Sequence, residues 1–176
     1  MPLGVLMVRP APASSSRSSS AVTGVDAAEA NVAVARAHAE GAGLAIDYRA
    51  GELSALGLGQ FDLVTAMEVL EHVADKRAFL AELARHLASG GLMVLSTPNR
   101  TPLSRLAMIT LAEGTGAIPK GTHDWSRFLK PEELEALLTD AGMKVIDRQG
   151  LTFSPARGFV VNEHDALNYL VTAVRA

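Results

Sequence analysis

The sequence predicts an α/β domain built on a mostly parallel, doubly wound sheet with helices on both faces. Apolar runs rich in β-branched residues, typical of buried parallel strands, occur at 61–67 and 92–98. Helix-forming stretches alternate with such runs in the order strand, helix, strand, strand, helix, strand, which right-handed crossovers turn into one sheet. The 176 residues, 48% hydrophobic and 20% charged, suffice for one domain with a core.

The first twenty residues differ in composition from the rest. Residues 9–20 contain almost only Pro, Ala, Ser and Arg, and such a stretch has too few large apolar side chains to form a core. We therefore expect a disordered N-terminal region over 1–20 and a single domain over 21–176.

The elements up to residue 98 follow from local signals. An Ala-rich stretch without Gly or Pro predicts one helix, and Asp75 is a suitable N-cap for the next, whose apolar residues recur every three or four positions. Glycines after each helix are typical terminators. The predicted strands are 21–26, 44–49, 61–67 and 92–98, and the predicted helices are 27–40 and 76–88.

The C-terminal part predicts two further helices and two late strands. Residues 102–112 are apolar and favour a helix, while Pro131 suits the first turn of a helix over 132–141 that ends at Gly142. Residues 143–147 and 166–174 favour strands, although a helix stays open for the latter.

Composition excludes several classes of function. The net charge is −3 and the Lys and Arg residues are scattered, which argues against nucleic acid as a partner. The chain has no Cys, so disulfides, thiolate catalysis and Cys-ligated zinc are excluded. No apolar run approaches the roughly 20 residues that span a bilayer, and we expect a cytoplasmic setting.

Ionisable side chains follow the strand predicted at 61–67, namely Glu68, Glu71 and His72. Because ligands in open α/β sheets bind at the carboxyl ends of strands, this cluster predicts a functional site. The alternative is a solvated first helical turn with acidic residues near its N-terminus, and the spacing alone leaves both interpretations open.

Asp26 ends a predicted strand directly before a predicted helix. In nucleotide-binding α/β folds a carboxylate at this place accepts hydrogen bonds from ribose hydroxyls. The alternative is a helix N-cap. The position of Asp26 one strand–helix unit before the 61–67 strand favours ribose binding.

Several stretches resemble class I S-adenosylmethionine-dependent methyltransferases and occur in the order seen there. They are Val25-Asp26, Phe61-Asp62-Leu63-Val64, Leu70-Glu71-His72-Val73 and Ser89-Gly90-Gly91. More specific stretches resemble the 3-demethylubiquinone 3-O-methyltransferases and 2-polyprenyl-6-hydroxyphenol methylases of ubiquinone biosynthesis. These are Met67-Glu68-Val69-Leu70-Glu71-His72-Val73, Ser96-Thr97-Pro98-Asn99-Arg100, Pro119-Lys120-Gly121-Thr122-His123-Asp124-Trp125 and Leu167-Asn168-Tyr169.

The resemblance implies a Rossmann-like three-layer sandwich with S-adenosylmethionine as methyl donor. Asp26 would hold the ribose of this cofactor, and the backbone of Met67 would lie beside the transferable methyl group. The reaction implied is O-methylation of a polyprenyl phenol or catechol.

The resemblance also implies a metal or a general base. Glu68, Glu71 and His72 match positions that bind Mg²⁺ in mitochondrial members of the family, and hard oxygen ligands suit this ion. If no metal binds, His72 or His123 would be the general base, because imidazole titrates near neutrality.

A polyprenylated substrate implies a route from the membrane. The apolar stretch 102–111 would then be a lid or interfacial helix in peripheral contact with the inner face of the membrane. The alternative is a helix packed over the sheet.

The departure from the family lies before Val22. No Gly-x-Gly-x-Gly turn precedes it, so we expect the first strand and its glycine-rich turn to be missing through truncation or a frameshift. Two alternatives therefore stay open: a methyltransferase for another small aromatic or lipid, and a catalytically silent remnant or binding module. A dinucleotide-dependent oxidoreductase is disfavoured, because no Gly-x-Gly-x-x-Gly precedes Asp26.

Overall fold

A computed structural model of the chain describes residues 4–9, 21–106, 124–154 and 156–176. The strands are β1 (Val5–Arg9), β2 (Ala21–Asp26), β3 (Ile46–Ala50), β4 (Phe61–Met67), β5 (Leu87–Pro98), β6 (Met143–Ser154), β7 (Gly158–Asn162) and β8 (Asn168–Arg175). The helices are α1 (Glu29–Gly41), α2 (Lys76–Arg85), α3 (Pro102–Ser104) and α4 (Pro131–Asp140). The strands form one sheet in the order β3-β2-β1-β4-β5-β8-β6-β7.

The α/β class and its two βαβ units are confirmed. β2 and β3 are parallel and joined through α1, while β4 and β5 are parallel and joined through α2. The two units extend the sheet in opposite directions, so right-handed crossovers put their helices on opposite faces. The sheet is thus the middle of three layers, with α1 on one side and α2 and α4 on the other.

The centre of the sheet contains a strand that the sequence analysis missed. β1 lies between β2 and β4 and is antiparallel to both. The expectation that residues 1–20 are disordered and that the first strand is missing was therefore wrong for 5–9. Val-Leu-Met-Val is apolar enough to fill this place, and Val5 and Met7 are buried. Residues 10–20 lie outside the described part of the chain.

The sheet is mixed rather than mostly parallel. Only β2–β3 and β4–β5 are parallel, because β1 enters in reverse and β8, β6 and β7 are added antiparallel beyond β5. Residues 166–174, for which the sequence left both a strand and a helix open, contain all but the last residue of the strand β8. β6 continues to Ser154, well beyond the predicted end at residue 147, because it pairs with both β8 and β7.

The hydrophobic core lies between the sheet and the layer of α2 and α4. The Asp75 side chain caps α2 by accepting a hydrogen bond from the Ala78 N–H, as predicted. Fully buried members of this core include Met7, Val64, Leu80, Leu83, Met93, Leu95, Leu134, Leu138 and Tyr169. None of the helices in the described ranges is long and apolar enough to cross a bilayer.

We expect Met7→Ala to lower the free energy of unfolding by about 2–5 kcal/mol, because it opens a cavity at a fully buried position in the sheet centre. Chemical denaturation measures the change. Leu44→Ala is the control, since Leu44 is 56% exposed and its truncation should cost less than about 0.5 kcal/mol. Equal effects of the two substitutions would contradict the placement of β1.

Candidate functional site

Glu68 follows β4 directly and is held in an uncommon backbone conformation. Its φ is 55°, in the left-handed region that favours glycine. The Glu68 N–H donates to the Ser96 carbonyl at 3.1 Å, while the carboxylate accepts from Ser96 Oγ at 2.6 Å and from Asn168 Nδ2 at 2.9 Å. β5 and β8 thus fix both oxygens of this carboxylate.

Glu71 is a buried carboxyl group at the same edge. It lies in a 3₁₀ turn, Leu70–His72, is 4% exposed, and accepts a hydrogen bond from Thr97 Oγ1 at 3.1 Å. Burial raises the pKa of Glu71 from its ordinary 4.5 to about 7, and the negative charge of Glu68 adds to the effect. Hydrogen bonds from the backbone and Thr97, and the charge of Lys76, oppose the rise in this pKa.

His72 connects the buried Glu71 to solvent. Its side chain is 51% exposed, and its Nε2 lies 3.9 Å from Glu71 Oε1. The Arg127 guanidinium donates to the His72 carbonyl at 3.4 Å, which ties the 3₁₀ turn to the segment before α4. The result is an accessible imidazole beside a buried carboxyl group, an arrangement that can accept and hold a proton.

Glu68, Glu71 and His72 are not assembled as a metal site. Ser96 and Thr97 are successive residues of β5, so their side chains point to opposite faces and hold the two carboxylates apart. Within the described ranges, no group of three or more His, Asp or Glu residues could hold a metal ion. As placed here, the three residues do not fit Mg²⁺.

Asp26 lies at the carboxyl end of β2, where ribose binding was predicted. Its Oδ1 accepts from the Ala28 N–H at 2.8 Å and its Oδ2 from the Gly4 N–H at 3.1 Å. The Asn31 amide lies 3.2 Å from both oxygens. A carboxylate offers about four acceptor positions, and the chain itself occupies them.

The direction of β1 determines what surrounds Asp26. Because β1 is antiparallel to β2, Gly4 lies at the edge with Asp26, whereas Arg9 pairs with Ala21 at the opposite edge. The described residues on either side of 10–20, Arg9 and Ala21, thus lie at the edge away from Asp26 and Met67, and the sequence 10–20 has no glycine.

The structure brings Glu68, Glu71, His72 and the half-buried Met67 to one edge of the sheet, with Asp26 two strands away at the same edge. His123 lies outside the described residues. The sequence analysis missed the partners that hold these groups: Gly4, Asn31, Ser96, Thr97 and Asn168. Three of them lie in stretches that carried the family resemblance, which was the available signal.

Residues 4–95 match the sequence profile of the family described as "Methyltransferase domain". This chain belongs to the methyltransferase domain family. The match begins just before β1, so the profile includes the strand that the composition of the N-terminal region had obscured.

Relatives of this methyltransferase domain are named "Ubiquinone biosynthesis O-methyltransferase". The protein from Cereibacter sphaeroides is 47% identical over 160 residues, which cover 88% of this chain and 64% of that protein. The one from Ruegeria sp. is 44% identical over 160 residues, covering 88% of this chain and 65% of that protein. The chain therefore spans slightly less than two thirds of the length of these relatives.

Solved structures share the fold of this methyltransferase domain. Magnesium protoporphyrin IX methyltransferase from Synechocystis PCC 6803, solved with bound SAH, superposes with a TM-score of 0.60 at 23% identity, covering 88% of this chain and 64% of that one. A SAM-dependent methyltransferase from Methanosarcina mazei superposes with a TM-score of 0.62 at 18% identity, covering 87% of this chain and 81% of that one. The class I methyltransferase fold is confirmed.

We expect Glu71→Gln to make folding less dependent on pH. Between pH 4.5 and about 7 the folded chain keeps a proton on Glu71 that the unfolded chain loses, so the free energy of unfolding falls as pH rises. Above pH 7 Glu71 is ionised in both the folded and the unfolded chain. The buried charge then lowers the free energy of unfolding by about 3 kcal/mol, since each unit by which the pKa is raised corresponds to roughly 1.4 kcal/mol. The variant should gain stability at pH 8 relative to wild type and little at pH 4.5.

Urea denaturation at both pH values measures this difference. Glu29→Gln is the matched control, since Glu29 is exposed at the start of α1 and its neutralisation should change stability by less than about 0.5 kcal/mol. An identical gain at pH 4.5 and pH 8 would show that Glu71 is charged in the folded chain at both values.

Proposed function

We propose that this chain is the methyltransferase domain of an enzyme that O-methylates a polyprenylated phenol or catechol in ubiquinone biosynthesis, with S-adenosylmethionine as methyl donor. The 47% identity with the Cereibacter relative carries the proposal. The pairing of half-exposed His72 with buried Glu71 at the carboxyl edge of the sheet supports it.

The reaction needs the phenol to lose its proton. S-adenosylmethionine, when bound, supplies an electrophilic methyl group on a sulfonium sulfur. His72 accepts the phenol proton, which leaves the oxygen lone pair free to form the new O–C bond as the C–S bond breaks. Glu71 stabilises the protonated imidazole in its ionised form, while Thr97 holds its carboxyl group in place.

The cofactor would bind between Asp26 and Met67. The donor chemistry fits, because a carboxylate ends β2 and the backbone of β4 ends at the same edge. Gly4 and Asn31 occupy the acceptor positions of Asp26, so ribose hydroxyls must displace at least one of them. The proposal includes no step through Mg²⁺, since the three matched residues do not converge on one point.

The start of the apolar segment supports a peripheral membrane contact. Leu103 and Leu106 are each 51% exposed, and Arg105 lies between them in sequence. Apolar side chains beside a cation suit the membrane interface. We therefore propose a cytoplasmic protein that meets the inner face of the membrane through this segment; its residues 107–111 are outside the described part.

A catalytically silent module is the second candidate. The observation that favours it is the saturation of Asp26 by Gly4, Ala28 and Asn31. In that case the carboxylate serves to anchor β1 and α1, and the chain retains the fold without binding cofactor.

Titration calorimetry with S-adenosylhomocysteine tests cofactor binding. We expect micromolar affinity for the wild-type chain and a loss of at least roughly tenfold in Asp26→Asn, because the ribose hydroxyls lose a charged acceptor. Asp62→Asn is the matched control, since Asp62 is exposed near the opposite end of β4. A folded wild-type chain without measurable binding would favour the silent module.

We expect His72→Gln to lower kcat for methyl transfer by roughly 10²–10⁴-fold, because it removes the proton acceptor. The affinity for S-adenosylhomocysteine should stay within a factor of two or so of wild type, since His72 follows β4 and Asp26 ends β2, two strands away. The assay uses a short-chain analogue of the demethylated quinol. His38→Gln is the control, because His38 is exposed on α1, and this variant should retain wild-type kcat. An equally large fall of kcat in His38→Gln would contradict the role of His72 as the proton acceptor.

A further inference from the structure

A buried amide oxygen at the carboxyl end of β5 has no hydrogen-bond donor. Asn99 directly follows β5, is 5% exposed, and its Nδ2 donates to the Asp165 carbonyl at 2.9 Å. This bond identifies the NH₂ end of the amide, so the opposite end is the acceptor Oδ1. Within the ranges that the structure describes, no group donates to Asn99 Oδ1, which is also closed off from solvent.

The backbone of Asn99 is held on both sides. The Asn99 N–H donates to the Leu167 carbonyl at 3.0 Å. The Asn99 carbonyl accepts from the Thr101 N–H at 2.9 Å and from Ser104 Oγ. A buried acceptor without a donor lowers the stability of a folded chain, and such acceptors are uncommon in native proteins. A ligand that donates a hydrogen bond to Oδ1 would recover this free energy.

Asn99 lies on the face of the sheet that holds the carboxyl–imidazole pair. Asn99 and Thr97 are two residues apart, so their side chains share one face, where Thr97 hydrogen-bonds the buried carboxyl group. Asn99 also forms a parallel bridge with Leu129. Two residues earlier, Arg127 donates to the carbonyl of His72. One short segment thus contacts both Asn99 and the turn that carries the imidazole.

The strand order indicates which ligand lies near Asn99. The proposed cofactor site lies between Asp26 and Met67, which end β2 and β4. β5 lies on the side of β4 away from β2, so Asn99 is one strand further from the ribose position than Met67. The ligand expected there is the methyl acceptor, because its oxygen must approach the methyl group from the side opposite the sulfur.

The methyl acceptor has one kind of group that can donate to Asn99. The hydroxyl that is methylated gives its proton to His72, and a prenyl tail has no hydrogen-bond donor. A second ring hydroxyl is a donor, and an amide oxygen is a suitable neutral acceptor for it. A catechol carries such a hydroxyl next to the reacting one, whereas a phenol with a single hydroxyl does not.

We propose that Asn99 is a specificity-determining residue, whose amide oxygen accepts a hydrogen bond from the ring hydroxyl that is not methylated. This inference rests on the proposed function, which supplies the chemical class of the ligand. A site that hydrogen-bonds a substrate hydroxyl discriminates against analogues without it, because the buried polar group is then left unpaired. Asn99 therefore selects catechols over phenols with a single hydroxyl.

Titration calorimetry of the 176-residue chain with two small molecules tests the proposal. The probes are a catechol and a phenol with a single hydroxyl, both with the same short prenyl tail. We expect the catechol to bind the wild-type chain at least roughly tenfold more tightly than the phenol. In Asn99→Leu, which puts an apolar group of similar volume in place of the amide, the two affinities should agree within about twofold.

Two further variants separate recognition of the hydroxyl from folding. Asn168→Leu is the matched control, since the described residues supply no donor to its buried amide oxygen either. Asn168 pairs with Pro98 and therefore faces the side of the sheet opposite Asn99, so this variant should keep the preference for the catechol. Asn99→Asp keeps an oxygen acceptor in place and should keep the preference too. Far-ultraviolet circular dichroism of each variant verifies folding.

Equal binding of the two probes by the folded wild-type chain would overturn the proposal, and so would binding of neither probe. A preference for the catechol that folded Asn99→Leu retains would also overturn it, because another group would then bind the hydroxyl. If Asn99→Leu does not fold, loss of the preference in folded Asn99→Asp overturns it. A preference that depends on Asn99, in a chain that methylates neither probe, would support this inference and contradict the proposed reaction.

Discussion

The direction of β1 is the constraint on which the rest of this structure depends. A strand between β2 and β4 must satisfy two hydrogen-bonding edges, and the apolar stretch Val5–Arg9 does so in the antiparallel sense. Reversal places Gly4 against Asp26 and Arg9 at the far edge. The polar surroundings of Asp26 and the place of Arg9 beside Ala21 both follow from it.

At the carboxyl ends of β4 and β5, the alternation of side chains along β5 separates the carboxyl groups of Glu68 and Glu71, which are three residues apart in sequence. Ser96 holds Glu68 and Thr97 holds Glu71, and adjacent strand residues face opposite ways. The separation leaves Glu71 in the interior with His72 as its route to solvent. A carboxyl–imidazole pair, rather than a metal cage, is what this geometry provides.

Local signals were sufficient for much of the fold. The run 61–67 became β4, the Asp75 cap began α2, and Pro131 and Gly142 delimited α4, because each depends on neighbouring residues alone. β1 was missed because its stability comes from strands that lie far along the chain. The partners of the site residues were missed for the same reason, since Asn168 reaches Glu68 across 100 positions.

The sheet order also has a consequence for cooperativity. Among the strands of the described ranges, β1 alone joins the pair β3–β2 to the larger group β4-β5-β8-β6-β7. Its ladder to β4 is short, with Leu6, Met7 and Val8 as the paired residues. Because these hydrogen bonds are few, we expect the β2–α1–β3 unit to open separately, so that its amides exchange with solvent while β4, β5 and β8 stay protected.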